Sequence, residues 1–205
     1  MPLILALVLA PLFIYGADAQ LAQADKDAIL NYHNNLRSEI AQGHYEARGN
    51  WFGPTADMRK LKWDNALATQ AQNWANRCKF EHSSFNNTGE NIYKVSSSAT
   101  LPIAGQGLEA CKDWASEFED IDWPQMPSFD LSAANSGIGH ATQMAWAKTT
   151  KIGCGAARCD SNKSVLVVCQ YQGQGNILNT DAFASGSFTC GSCGATCEVS
   201  TGLCL

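Results

Sequence analysis

The chain has 205 residues, nine cysteines and a formal net charge of −5 at pH 7. This length suits one well-cored domain with a small appendage. No basic patch could follow a phosphate backbone, which argues against nucleic-acid binding.

Residues 3–15 form an apolar run without a charged side chain, followed by Gly16-Ala17-Asp18-Ala19. This is the pattern of a signal-peptide core with a small-residue cleavage site. It is shorter than the roughly 20 residues a membrane helix needs. Residues 1–19 are therefore expected to be a signal peptide, leaving a secreted chain with no membrane span. Nine cysteines on that route imply disulfides rather than thiol catalysis, and the odd count leaves one over. Asn86-Asn87-Thr88 and Asn162-Lys163-Ser164 are glycosylation sequons, placing Asn86 and Asn162 on surface loops.

The first helix is expected over 25–41, where Ile29, Tyr32, His33, Leu36 and Ile40 recur at helical spacing. A loop follows to residue 54. A second helix, with Asp64 as its N-cap, is expected over 64–79, and Leu67, Ala68, Ala71, Trp74, Ala75 and Cys78 line one face. Residues 81–100 read as a polar loop with an apolar patch at 91–95. A third helix is expected over about 105–120, with Leu108, Cys111, Trp114, Ala115 and Phe118 on its apolar side. The loop 121–137 carries two aromatics expected to be exposed, Trp123 and Phe129. A fourth helix is expected over 138–148. The period then becomes that of strands at 151–157 and 164–171, joined by a turn at 160–162. Their long apolar runs suit central, covered strands. Helices on both sides of a small sheet give an α/β sandwich.

The last segment holds four cysteines, at 190, 193, 197 and 204. So short a piece cannot bury a core and must be stapled. Cys190-x-x-Cys193 also has zinc-knuckle spacing, although a secreted context favours disulfides.

Four histidines are present, at 33, 44, 82 and 140. A neutral imidazole pair can ligate a divalent metal, with a nearby carboxylate orienting it or acting as base. No H-E-x-x-H motif occurs, and spacing alone leaves His82, Glu90, Glu117 and His140 unconnected.

Five ordered motifs resolve this. They are His33-Asn34-Asn35-Leu36-Arg37, Leu61-Lys62-Trp63-Asp64, Gly89-Glu90-Asn91-Ile92, Gly139-His140-Ala141-Thr142-Gln143-Met144-Ala145-Trp146, and Val167 through Asn176. Over about residues 25–180 the chain resembles the CAP superfamily, which comprises cysteine-rich secretory proteins, venom allergens and pathogenesis-related proteins. It is most similar to secreted venom-allergen-like proteins of nematodes. Ala141 departs from the usual aromatic, and Gly173 from the common proline.

The resemblance implies a three-layer α-β-α sandwich over residues 20–180 and a cysteine-rich, hinge-like tail over 181–205. It implies a cleft tetrad of His82, Glu90, Glu117 and His140, with His82 and His140 able to bind zinc or another divalent cation. It also implies the disulfides Cys78–Cys159, Cys154–Cys169, Cys190–Cys197 and Cys193–Cys204, leaving Cys111 as a buried free thiol. His33 reads as a hydrogen-bonded structural residue and His44 as a loop residue. The hinge's usual continuation, a channel-regulatory domain, does not follow Leu205, so channel blocking is not expected.

The function implied is non-enzymatic binding of small lipids or sterols, or of host or cell-surface proteins. Trp123, Met126 and Phe129 would form the lipid-binding loop. The alternative is a zinc-dependent hydrolase in which a metal on His82 and His140 activates water and Glu90 or Glu117 acts as base. Two protein ligands are fewer than the three usual for catalytic zinc. A surface-acting disulfide-rich toxin is a third possibility.

Overall fold

The two longest apolar strand patterns lie side by side in the centre of the fold. The computed structural model describes residues 20–120, 128–186, 190–193 and 196–205. The elements run in the order α1 (Gln23–Gln42), β1 (Tyr45–Ala47), β2 (Asn50–Phe52), β3 (Lys62–Trp63), α2 (Asn65–Ala75), β4 (Thr88–Ser96) and α3 (Gln106–Asp120). There follow β5 (Ser128–Phe129), α4 (Leu131–Ser136), α5 (Gly139–Met144), β6 (Lys151–Cys159), β7 (Ser164–Gln172), β8 (Thr180–Asp181), β9 (Cys197–Glu198) and β10 (Leu203–Cys204).

The main sheet has the order β3-β6-β7-β4. β3 is parallel to β6, and the other pairs are antiparallel. Alternation along β7 divides its side chains between two cores. Val165, Val167, Cys169 and Tyr171 join the larger core with α1, α3 and α5. Leu166 and Val168 join Ala71, Trp74 and Ala75 of α2 in the smaller one. The sheet is thus covered on both faces, giving three layers. α2 lies close enough to β6 that a side chain on Gly155 would overlap the Gln72 backbone.

The larger core is built around a buried charge. Arg37 of α1 is fully buried, and all five of its N–H groups donate to backbone carbonyls. Nε reaches Arg59 O at 2.8 Å, and Nη1 reaches Met144 O and Trp146 O at 2.9 and 2.8 Å. Nη2 reaches Ala147 O and Thr149 O at 3.1 and 3.2 Å. One turn earlier, His33 is also fully buried. Its Nδ1 donates to Ile29 O at 2.8 Å, and its Nε2 accepts from the Tyr171 hydroxyl at 2.9 Å. Burial lowers the His33 pKa to about 4, the Arg37 charge acting in the same direction.

The cysteines pair as Cys78–Cys159, Cys154–Cys169, Cys190–Cys197 and Cys193–Cys204. Cys111 is a buried free thiol, which burial holds protonated. The C-terminal segment packs onto the domain, with Leu203 fully buried in the larger core. Cys204 exchanges backbone bonds with Met58 and Lys60 at 2.8 and 2.7 Å.

Several elements differ from the sequence reading, each for a local reason. Residues 88–96, expected as loop, form β4. Glu90, Asn91 and Lys94 disguise an edge strand paired along its whole length with β7. The fourth helix stops at Met144 because the carbonyls of residues 144, 146, 147 and 149 turn inward to Arg37. α2 ends at Ala75, and Cys78 adopts a left-handed φ of 55° on its way to Cys159. Phe129, expected exposed in a lipid-binding loop, is buried, with its ring edge-on to Trp146 at 6.2 Å. Trp123, Met126 and residues 1–19, expected as a signal peptide, lie outside the described residues.

Arg37→Ala would remove five hydrogen bonds to buried carbonyls, of which Trp146 O and Ala147 O keep only the N–H groups of Thr149 and Arg59, and Arg37→Lys, with three donors, would remove at least two of the five. Equilibrium urea unfolding should show Arg37→Ala losing roughly 4 kcal/mol or more, or failing to fold, with Arg37→Lys intermediate. His33 makes a second prediction. Between pH 6.5 and about 4 the unfolded chain binds a proton at this site and the folded chain does not. Stability should therefore be undiminished above 6.5 and fall by about 3 kcal/mol on acidification across that window. In His33→Gln this component of the pH dependence should vanish.

Candidate functional site

Two histidine–glutamate pairs flank the start of β4. The first is assembled on the α2 side of the sheet. Glu90 of β4 and Gln170 of β7 are register partners whose side chains share that face. Gln170 Nε2 donates to Glu90 Oε2 at 3.1 Å. Glu90 Oε1 accepts His82 Nδ1 at 3.0 Å and the Ser83 backbone N–H at 2.7 Å. The Glu90 side chain is only 6% exposed, whereas the His82 side chain is 65% exposed. Burial works to raise the Glu90 pKa, but hydrogen bonds from His82, Ser83 and Gln170 outweigh it and the net shift is downward. His82 shifts upward, chiefly through its hydrogen bond to Glu90.

The second pair is built on α3 and α5, beside the free edge of β4. Glu117 of α3 caps the short helix α5. Its Oε2 accepts the backbone N–H groups of His140 and Ala141, both at 3.0 Å, and its Oε1 accepts His140 Nδ1 at 2.6 Å. A carboxylate there complements the partial positive charge of the helix start. One turn earlier on α3, Trp114 stacks on the His140 ring at 5.9 Å between centroids. The His140 side chain remains 33% exposed.

β4 links the two pairs. Glu90 faces His82, and the next residue, Asn91, donates through Nδ2 to His140 O at 3.1 Å and to the Tyr171 hydroxyl at 3.2 Å. A side chain at Gly89 would overlap the Gln143 carboxamide, which is itself held by the Gly175 N–H and by Thr149 Oγ1. Asn176 ties the loop after β7 to α5, donating to Gly139 O and accepting from Thr142 Oγ1, each at 2.7 Å. A groove of about 330 Å³ opens beside the first pair, bordered by His82, Ser83, Phe85, Glu90, Gln143 and Asn176. His140 does not border it.

Both histidines commit Nδ1 to a carboxylate, and no described residue bonds to either Nε2. This is the carboxylate–histidine arrangement that orients imidazole for a metal. Among the described residues, the three-ligand groupings of His, Cys, Asp or Glu close enough for one ion reduce to Cys190, Cys193 and Cys197. Those sulfurs are consumed by disulfides. His33 and His44 stand apart from both pairs. Sequence reading singled out neither Gln170, Trp114 nor the Asn91 side chain as supports. Their signal was available only once β4 was recognised as a strand with alternating faces.

A sequence profile of the cysteine-rich secretory protein family (CAP) matches residues 30–171. Venom allergen 3 of Solenopsis invicta is 38% identical over 186 residues, covering 84% of this chain and 77% of that protein. Venom allergen 5 of Microctonus hyperodae is 34% identical over 171 residues, covering 80% and 72%. Among solved structures, NaASP2 with Zn2+ superposes with a TM-score of 0.84 at 30% identity, covering 92% of this chain and 98% of that one. BmVAL-1 superposes with a TM-score of 0.84 at 33% identity, covering 90% and 95%. With the profile spanning more than half its length and these relatives matched over most of theirs, the chain belongs to the CAP family of cysteine-rich secretory proteins.

Proposed function

We propose that this protein is a secreted, non-enzymatic binding module whose two His–Glu pairs hold a divalent cation, with zinc the first candidate. The observation that carries the reading is the shared geometry of His82 and His140: each is fixed through Nδ1 by a carboxylate, and each offers Nε2. NaASP2, a relative over nearly the whole chain, was crystallised with Zn2+. Among the described residues no third protein ligand is grouped with the two imidazoles, so the donor set falls short of the three protein ligands usual for catalytic zinc. That favours binding over hydrolysis.

A small lipid or sterol, or a host or cell-surface protein, is the organic partner this reading allows. Phe85 supplies exposed apolar surface on the groove rim, and Ile177 and Leu178, which directly follow the bordering Asn176, are exposed as well. Asn86 and Asn162 are both exposed on turns, which suits glycosylation on the secretory route.

Titration calorimetry with zinc tests the cation site. The intact protein should bind one ion, and His82→Ala and His140→Ala should each abolish that binding. Glu117→Gln should weaken it by about 10–100-fold. Unchanged binding in the double histidine variant would refute the assignment.

The same site has a defined pH dependence. Zinc needs the neutral imidazole, and the Glu90 hydrogen bond raises the His82 pKa above its ordinary 6.5. Affinity should therefore be full well above that raised value and fall as pH drops through it. In Glu90→Gln the midpoint, read from calorimetry or from the His82 ring resonance in NMR, should move to lower pH.

A further inference from the structure

A second recess, of about 350 Å³, lies where α1 and α2 meet the edge of β6, and Lys26, Asn65, Thr69, Gln72, Asn73 and Cys154 border it. β3 is only two residues long, so it covers β6 only at Lys151 and Ile152. Farther along, the edge is closed at Ala156 by a side chain. Gln72 Nε2 donates to Ala156 O at 2.8 Å, and Gln72 Oε1 accepts the Ala156 N–H at 3.2 Å. One primary carboxamide thus satisfies both main-chain groups of one strand residue.

Cys154 sits between these two closures. It faces Cys169 directly, with Cα atoms 4.1 Å apart. That is the spacing of a non-hydrogen-bonded antiparallel pair, in which N–H and C=O point away from the partner strand. The Cys154 N–H and C=O therefore project from the same edge as those of Ala156, and no described residue pairs with them.

We propose that this recess binds a small molecule bearing a primary carboxamide and a carboxylate, the pattern of free glutamine or asparagine. The carboxamide would pair with the N–H and C=O of Cys154 as the Gln72 carboxamide pairs with Ala156. A secondary amide cannot do this, because its N–H and C=O point in opposite directions. The gap is one residue wide, bounded by β3 and by Gln72, so it excludes an added peptide strand. Lys26 is half-buried on the recess wall, with no carboxylate among the described bordering residues, and supplies the charge for an anionic group. Asn65, Thr69 and Asn73 stand on successive turns of α2 with exposed side chains; the two carboxamides can donate and accept, and the Thr69 hydroxyl, which donates to Asn65 O at 2.9 Å, can accept. The volume falls in the range of small-ligand sites, about 300–1,000 Å³.

Amide-resolved NMR titration of the whole protein with L-glutamine tests this. The Cys154 backbone amide and the Gln72 side-chain amide should shift saturably. L-glutamate, which lacks the amide, should leave Cys154 unmoved, and propionamide, which lacks the carboxylate, should bind roughly tenfold more weakly. Lys26→Ala should weaken glutamine by a similar factor with an unchanged melting temperature. No saturable shift at Cys154, equal responses to glutamine and glutamate, or an equal response to N-methylacetamide would each overturn the proposal.

Discussion

Arg37 is fully buried, and its five N–H groups all end on backbone carbonyls, four of them between residues 144 and 149. A buried charge is costly to desolvate and is tolerated only when its donors are satisfied. Burial disfavours the cation here, while the field of Asp57 favours it. The carbonyls gathered by Arg37 belong to the segment between the end of α5 and the start of β6. The same contact therefore ends the helix carrying His140 and aims the chain into the central strand. His33, one helical turn away, fixes Tyr171, and Tyr171 in turn holds Asn91 beside His140. The first helix thus positions the site without contributing a residue to it.

The two His–Glu pairs use one chemical arrangement on two scaffolds. Glu90 is held by a strand and a neighbouring glutamine, whereas Glu117 spends its second oxygen on the backbone of α5. The consequences differ. His82 is mostly exposed and is free to accept a ligand from solvent, whereas His140 is stacked on Trp114 and held at three points. A cation drawn to this region would meet one rigid imidazole and one accessible imidazole, each with a carboxylate behind it.

Much of the framework was legible in the sequence. Helical spacing located α1, α2 and α3, and apolar runs located β6 and β7. Two family motifs hold Glu90 and His140, and the resemblance implied His82 and Glu117 beside them. What spacing could not supply was their partition. His82 meets Glu90 eight residues away, and His140 meets Glu117 twenty-three residues back on another helix, so only the fold decides who pairs with whom. β4 was obscured because its site-facing positions are polar. Phe129 appeared exposed because its loop is polar, yet its ring packs against Trp146. The recess beside Cys154 was invisible for a different reason: its central groups are backbone atoms, which carry no residue-type signal.

Diffraction from zinc-soaked crystals, recorded on both sides of the zinc absorption edge, tests the central claim most directly. The account predicts one anomalous peak bonded to Nε2 of both His82 and His140, at about 2.0–2.1 Å from each nitrogen. Their Nδ1 atoms should remain on Glu90 and Glu117. A peak on Nδ1, a peak on only one histidine, or zinc bound elsewhere with both imidazoles vacant would contradict it.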